Sequence, residues 1–341
     1  MATLVLPPCL PPSLPPSPSS NGPGSSAFAA AASTCDARIL DDDSAFWQRY
    51  DEVQQLGRGC FGTVLLVRER GTANGAGTST LPLAAKVVFT DDAAHALNEA
   101  TILRSLSHAN IVSLHEVYSS ASTVFVVMGA ELGGDLSSRA DAAPGGVLPE
   151  ADVLLPLLGV LSALDYLHSR HSIVHRDVKA PNVLLAADGQ TAKLGDFGLA
   201  ARLPPTGRLT SVCGTHDFLA PEMVRTGHGE CDGYGASVDL WAVGLMLHTL
   251  LFGTNPFERD TDIATLQAIL AGDYHPPPAE DTSVSPTVHS LIASLLITDP
   301  DERATAEQAL RRVCRMRDAA ADTDSSLKGR LWKALWSMRA G

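Results

Sequence analysis

The sequence predicts an α+β fold in two lobes, a small antiparallel β-sheet lobe with one key helix and a larger, mainly helical lobe. Three observations carry this. Short β-branched runs bounded by turn residues cluster between Tyr50 and Met128. After Gly133-Gly134 the apolar residues recur at helical spacing for most of the remaining chain. No internal repeat is present, so the change of texture marks two unlike lobes rather than copies of one unit.

Residues 1–45 are rich in Pro, Ser and Ala, with no acid before Asp36. Such a segment buries too little surface to offset its ordering entropy, so it is expected to be disordered. An organelle transit peptide is the functional alternative, weakened because Arg38 is its sole basic residue. Met1–Leu6 lacks the basic start of a secretory signal, and Pro7 and Pro8 cut its apolar run short. Val53–Leu56, Thr63–Val67, Leu83–Phe89 and Val124–Met128 read as strands, with a Gly/Thr/Ala loop of no evident function at Gly71–Thr80. Ala94–Leu106 reads as a helix that places Glu99, Ile102, Leu103 and Leu106 on one face. Further helices are expected at Asp152–His168, Val238–Leu251, Asp262–Ala271, Val288–Leu296 and Ala306–Val313. The apolar stretch Val238–Gly253 is too short to span a bilayer and carries Asp239, so it reads as a buried core helix and no transmembrane helix is expected. The divisions expected are a leading segment 1–45, a domain at 46–314 with its lobes meeting near 130, and a tail at 315–341.

Apolar residues make up 45% of the 341 residues, enough for a sizeable core. The formal net charge of −13 argues against broad nucleic-acid binding, which needs a basic surface. Six cysteines (Cys9, Cys35, Cys60, Cys213, Cys231 and Cys314) show no Cys-x-x-Cys spacing. Neither a metal ribbon nor a disulfide framework is implied, which favours a reducing compartment, cytoplasm or nucleus, over secretion.

The densest chemical signal is Ile173–Leu185, IVHRDVKAPNVLL. It sets three polar side chains on one short turn between two apolar runs. Asp177 can accept a proton, Lys179 can neutralise a phosphate, and Asn182 can offer an oxygen to a hard cation such as Mg²⁺. Phosphoryl transfer to a hydroxyl requires these parts. In Leu56–Val64, LGRGCFGTV, the glycines Gly57, Gly59 and Gly62 let backbone N–H groups approach phosphate. The motif opens into a strand, whereas a dinucleotide-binding glycine loop opens into a helix. Lys86 lies in the strand run AAKVV, and Glu99 on the next helix can fix its ammonium. Such a buried pair is better explained by function than by stability. In Lys193–Ala200, KLGDFGLA, Asp196 follows a strand and falls 196 − 177 = 19 residues beyond Asp177, where it can face Asn182 as a second metal oxygen.

Together these motifs resemble the eukaryotic protein kinase family, from about Phe46 to about Cys314. The resemblance implies the two-lobed protein kinase fold, with ATP and Mg²⁺ as cofactors. ATP would be held by Leu56, Gly57, Gly59, Gly62, Val64, Ala84 and Leu184. Lys86 would bind its α- and β-phosphates and pair with Glu99. Asp177 would orient and deprotonate the acceptor hydroxyl, with Lys179 near the γ-phosphate, while Asn182 and Asp196 held Mg²⁺. In the hinge VVMGAELGGDL, Met128 fits the gatekeeper, Gly129 and Glu131 the backbone contacts to adenine, and Asp135 the ribose contact. Phe197 and Gly198 would open the activation segment and Ala220-Pro221-Glu222 would close it, with Arg303 pairing Glu222. Asp239 would anchor the catalytic loop, and His175 and Phe197 would stack with Leu103 and Leu114. His175, Asp239, Glu222 and Arg303 are structural in this reading.

Lys179 two residues after Asp177 resembles the serine/threonine form, as does CGTHDFLAPE, where Thr215 would contact Asp177 and Lys179. The acceptors implied are Ser and Thr hydroxyls of proteins. Arg176 beside Asp177 implies control by a phosphate in the activation loop, delivered by an upstream kinase, with Ser211 the best-aligned site, Thr210 second and Thr206 third. The sequence departs from the family at Gly129, usually an acid, and at Pro181, where basophilic members often carry an acid. Its wording resembles the calcium/calmodulin-regulated group and also the Polo-like and NIMA-like kinases. The stretch Ser326–Ala340 is a basic amphipathic pattern, with Trp332 and Trp336 beside Leu327, Leu331, Leu335 and Met338. It suits calmodulin, an anionic membrane surface or an autoinhibitory dock, although a helix simply covering its own domain is weighed above these. Two other readings compete. A pseudokinase scaffold would lack one of Lys86, Asp177, Asn182 or Asp196, and a small-molecule phosphotransferase usually lacks the Ala-Pro-Glu segment and its arginine.

Overall fold

The computed structural model describes Ala32 and residues 35–59, 62–70, 82–89, 93–275 and 283–323. Cys9, Cys60, the Gly71–Thr80 loop and the Ser326–Ala340 tail pattern lie outside the described residues.

The β-branched runs pair into one six-stranded sheet. Its strands are β1 (Arg38–Ile39), β2 (Tyr50–Gly59), β3 (Gly62–Glu69), β4 (Leu83–Phe89), β5 (Leu114–Ser119) and β6 (Thr123–Gly129), in the order β1-β5-β6-β4-β3-β2. The expected antiparallel pairing runs through β2 to β6, and β1 adds one parallel pairing to β5, covering its otherwise open edge. Alternation gives the sheet two apolar faces. Helix α1 (Ser44–Arg49) covers one: Phe46 stacks on Phe125 at 4.0 Å amid Tyr50, Leu65, Ala85, Tyr118 and Val127. Helix α2 (Ala93–Arg104) covers the other, setting Ala93, Ala96, Leu97 and Ala100 against Val88, Val117, Val124 and Val126. The helix stops at Arg104, short of the expected Leu106, where the Ser105 hydroxyl donates to the Ile102 carbonyl at 2.7 Å.

The expectation of disorder over 1–45 fails for its described end. Cys35 is buried, Leu40 donates its N–H to the Ser119 carbonyl at 2.8 Å, and α1 starts at Ser44. The Pro/Ser-rich average over the whole segment hides these few anchoring residues.

The second lobe is built on α3 (Leu136–Asp141), α4 (Glu150–Tyr166), α5 (Pro221–Gly227), α6 (Ser237–Phe252), α7 (Asp262–Ala271), α8 (Pro286–Leu295) and α9 (Ala306–Thr323). Helices α4 and α6 are apolar nearly all round and form its core, with α9 along α4 and α8 against α6. Helix α9 continues to Thr323, through the expected boundary at 314. Among the described residues one helix, Glu150–His171, is long and apolar enough to cross a membrane by length and composition, and 56% of that window is buried inside the fold. It exceeds the Val238–Gly253 stretch because a π-helical turn at Leu167–His171 extends α4. Two small ladders finish the lobe: β7 (Ile173–Val174) with β10 (Ala201–Arg202), and β8 (Val183–Leu185) with β9 (Ala192–Leu194). They hold the Ile173–Leu185 turn and the Asp196 turn side by side.

Candidate active site

Strand register places the lysine. On β4, Lys86 lies opposite Val64 of β3 and Val126 of β6 and turns toward α2. Its Nζ is 2.8 Å from Glu99 Oε2 and 2.9 Å from Asp196 Oδ1. Burial disfavours the ammonium, but the two carboxylates outweigh it and raise the Lys86 pKa. Burial also pushes the fully buried Glu99 carboxyl up, whereas for Asp196 the attraction of Lys86 overcomes burial and lowers it. The second Glu99 oxygen accepts the Phe197 N–H at 3.2 Å, so α2 is tied directly to the Asp196 turn. Asn98, which the sequence reading passed over, adds bonds to the Gly198 and Ala200 carbonyls at 3.2 and 3.0 Å. Its signal was a second polar residue beside Glu99 on a largely apolar helix.

The turn after β7 is fixed from below by α6. Asp239 accepts the backbone N–H groups of His175 and Arg176, each at 2.8 Å, and faces His168 Nε2 at 2.8 Å. Burial opposes its charge, yet these partners outweigh it and hold the carboxyl below the usual range. Such over-determination matters because Arg176 and Asp196 both adopt positive φ, at 68° and 55°. Each non-glycine residue there costs about 1–3 kcal/mol and persists only in a constraining frame.

Asp177 is reached by three side chains. Its Oδ1 accepts from the Thr215 hydroxyl at 2.9 Å, and its Oδ2 lies 2.9 Å from Lys179 Nζ and 3.0 Å from Asn182 Nδ2. Lys179 also donates to Thr215 at 2.8 Å. A hydroxyl thus already sits where a proton acceptor would need one. Asn182 directs its amide nitrogen at Asp177, which leaves its amide oxygen for a cation. The Gly195 N–H donates to the Asn182 carbonyl at 2.9 Å and brings the Asp196 turn beside it. Two oxygens do not make a self-sufficient metal cage, and no group of three His, Cys, Asp or Glu side chains forms one among the described residues. They do fit Mg²⁺, which keeps waters and takes its other ligands from a phosphate substrate. Two carboxylates facing one ammonium also leave an excess of negative charge here.

The remaining expected residues fall around this centre. Met128 pairs with Ala84 and Leu114, at the hinge end of β6. The Gly129 N–H is taken by the Ser113 carbonyl at 2.9 Å. Glu131 is paired with Lys193 at 2.6 Å. Asp135 caps α3, accepting from the Ser138 N–H and hydroxyl at 2.8 and 2.7 Å, and bridges to Leu184. Gly57 lies opposite Val64, and Gly59 opposite Gly62, while Leu56 is exposed at 40%. Gly62 has φ of 136°, and a Cβ there would run into the Val87 carbonyl. His175 packs edge-on against Phe197 at 4.8 Å, within the apolar cluster that takes in Leu103 and Leu114.

Arg176 reaches into the activation segment. Its guanidinium donates to the Ser211 hydroxyl at 2.9 Å, the Leu199 carbonyl at 2.7 Å and the Tyr234 hydroxyl at 3.2 Å. Thr206 and Thr210 are exposed. Tyr234 is nearly fully buried, with its hydroxyl pushed up to about 12, chiefly by burial. Nothing in its local sequence separated it from an ordinary core tyrosine.

This fold and this grouping of side chains define a two-lobed phosphotransferase. The family model for the protein kinase domain matches residues 50–313. The chain is 35% identical to calcium/calmodulin-dependent protein kinase type 1B of Rattus norvegicus over 277 residues, 81% of this chain and 77% of that protein. It is also 35% identical to the liver/testis phosphorylase b kinase gamma catalytic chain of Homo sapiens, over 78% of this chain and 66% of that one. Calcium/calmodulin-dependent protein kinase type II of Caenorhabditis elegans is 34% identical over 80% of this chain, which spans 37% of its length. The chain belongs to the protein kinase family and is a serine/threonine protein kinase.

Proposed function

We propose that the chain transfers the γ-phosphate of ATP to Ser and Thr hydroxyls of protein substrates, using Asp177 as the base. The observation that carries this is the convergence of Lys86, Glu99 and Asp196 with the Asp177–Asn182–Thr215 cluster through backbone bonds between their segments. Gly57, Gly59 and Gly62 would cover the phosphates, and Lys86 would hold the α/β pair. Leu56, Val64, Ala84 and Leu184 would enclose the adenine, Gly129 and Glu131 would meet its edge, and Asp135 would approach the ribose. Asn182 and Asp196 would hold Mg²⁺, which supplies charge neutralisation at the phosphates when bound. The acceptor oxygen attacks the γ-phosphorus, its proton passes to Asp177, and the bond to the bridging oxygen breaks to release ADP. Lys179 stabilises charge on the phosphoryl group in flight.

A radiolabelled-ATP assay on an arrayed peptide library tests this. Asp177→Asn is expected to lower turnover about 10²–10⁴-fold, the usual range for loss of a general base. Signal retained in that variant overturns the mechanism.

Control by the activation loop is the finer part of the proposal. The Ser211 hydroxyl lies at the Arg176 guanidinium, so a phosphate on it would gain charge-assisted bonds there. An upstream kinase is the partner this implies. Calmodulin is a second candidate partner, supported by the names of two relatives and by the Trp332/Trp336 pattern. A calcium-dependent calmodulin pulldown, lost on Trp332→Ala/Trp336→Ala, tests it. The net charge of −13 supports protein rather than nucleic-acid partners. Scattered cysteines support a reducing compartment, cytoplasm or nucleus.

A further inference from the structure

Helix α2 is held from two sides. One side is the site: Glu99 bonds Lys86 and the Phe197 N–H, and Asn98 bonds the Gly198 and Ala200 carbonyls. The opposite stripe, Ala93, Ala96, Leu97 and Ala100, packs on the sheet in a cluster that also contains Ala32 and Cys35. Both of those residues are fully buried although they precede the sheet proper. Alanines on this stripe let a further chain segment come close.

That segment is anchored along its length. The Cys35 thiol donates to the Ala32 carbonyl at 3.3 Å, and Ala37 donates its N–H to the same carbonyl at 2.9 Å, which ties the turn at 35–37 back to Ala32. Asp36 pairs with Arg104 in the last turn of α2 at 3.2 Å. Arg38 and Ile39 then pair with Tyr118 and Ser119 on β5, and Arg38 reaches Glu116 at 2.8 Å. Asp43 accepts from the Ser120 and Thr123 hydroxyls, the latter at 2.9 Å. The turn therefore joins the helix at one end and the sheet edge at the other.

We propose that Ala32 and residues 35–43 form a strap in cis that holds α2 where Glu99 meets Lys86. Cys35 is its buried wedge and acts as a positioning residue, not a catalytic one. The strap resists withdrawal of α2 from the sheet, a movement that would leave Lys86 without Glu99 and loosen the Asp196 turn. The inference rests on the reading of Lys86, Glu99 and Asp196 as the phosphoryl-transfer site.

The test uses the full chain carrying Cys35→Asp, with Cys35→Ala as the conservative control. An aspartate cannot stay buried beside these alanines and valines without a partner, so the strap should release. The expected result is a fall of about tenfold or more in kcat with the peptide KM nearly unchanged, as when a minor withdrawn state becomes the major one. Amide exchange should quicken across 93–104 while 238–251 stays protected. Cys35→Ala should behave as the parent chain. A synthetic peptide of residues 29–43 added in trans to Cys35→Asp should restore kcat and protection saturably. Unchanged kcat and exchange in Cys35→Asp would overturn the strap, as would a loss shared by 238–251 that the peptide does not reverse. A parent chain without activity, or one equally active with Asp177→Asn, would instead condemn the reading of the site, while exchange over 93–104 still reported on the strap.

Discussion

Lys86 and Arg303 are both buried cations paired with a carboxylate, yet their surroundings differ in kind. Arg303 directs all five of its N–H donors at acceptors: both oxygens of Glu222 at 2.6 and 2.9 Å, and the carbonyls of Ser237, Ile297 and Thr298. Its guanidinium also lies over the Trp241 ring at 5.1 Å. Charge and donors are both matched. Lys86 directs two bonds at two carboxylates, which leaves one ammonium proton and an unbalanced negative charge. A closed network of the first kind holds a lobe together. An open one of the second kind is completed by something that comes and goes, here the phosphates and their cation in the proposed function.

The comparison is broken most directly by exchanging each cation for Met. Arg303→Met strands the Glu222 carboxylate and should cost about 3–5 kcal/mol of stability, seen as a lowered urea midpoint. Activity per folded molecule should survive it. Lys86→Met should lower turnover by roughly 10²–10³-fold, the scale for removing a preorganised charge. Its effect on the unfolding midpoint should be smaller, since Asp196 is a third exposed and can turn to solvent, while the fully buried Glu99, whose carboxyl burial already pushes up, can take a proton instead of staying charged. Equal losses of stability in the two variants would erase the distinction between a closed and an open network.

Asp239 sharpens the same contrast through pH. Its folded pKa lies below the ordinary 3.8, because bonds from His168, His175 and Arg176 outweigh burial. The native state therefore holds fewer protons than the unfolded chain as the pH nears that value. The stabilisation is complete above 3.8 and is lost as pH falls through the folded pKa. Lys86 has the opposite sign: its raised pKa gives stability that is complete below 10.5 and fades as pH rises through the folded value. Urea midpoints between about pH 6 and pH 3 should fall less steeply for Asp239→Asn than for the parent chain. Parallel slopes would show that Asp239 is not a source of acid sensitivity.

Much of the site was legible because its chemistry fixes residue type and spacing together. Asp177, Asn182 and Asp196 fall within 20 residues, and each needs a particular donor or acceptor. Lys86 and Glu99 could be joined because one lies on a strand and the other on the helix that follows it. The strands β3, β4 and β6 were read from β-branched runs, and α4 and α6 from apolar periodicity. What escaped was held by tertiary context. Strand β5, LHEVYS, sets His115 and Glu116 among its apolar residues, with Glu116 paired to Arg38 and Arg49, and α1 is too short to show a period. Strand β1 exists because an edge needed covering. Tyr234 acquires its role only when Gly233, at φ of 130°, brings it under Leu209 and Arg176. Ser211, whose hydroxyl meets Arg176, stands out in the sequence by its spacing to Gly214, whose positive φ and close approach to the Arg176 carbonyl need glycine.

Ser211 gives the smallest effect and the finest test of the open-network idea. In the unphosphorylated chain Ser211→Ala removes one hydrogen bond to Arg176, while the Leu199 carbonyl and Tyr234 hydroxyl remain. The loss should be about 1 kcal/mol or less, a few-fold at most in turnover. A phosphate on Ser211 would put strong acceptor oxygens against the same guanidinium and stabilise the segment further, so the gap between parent and variant should widen after treatment with an activating kinase. Tyr234 divides the contributions: Tyr234→Phe should weaken the unphosphorylated segment more than the phosphorylated one, since the phosphate takes over at Arg176. Phosphate analysis and peptide turnover, measured on the same samples, read both effects. Full activity in an unphosphorylated Ser211→Ala/Thr210→Ala chain would mean that Arg176 and Tyr234 already complete this end of the site, and that its network is as closed as the one around Arg303.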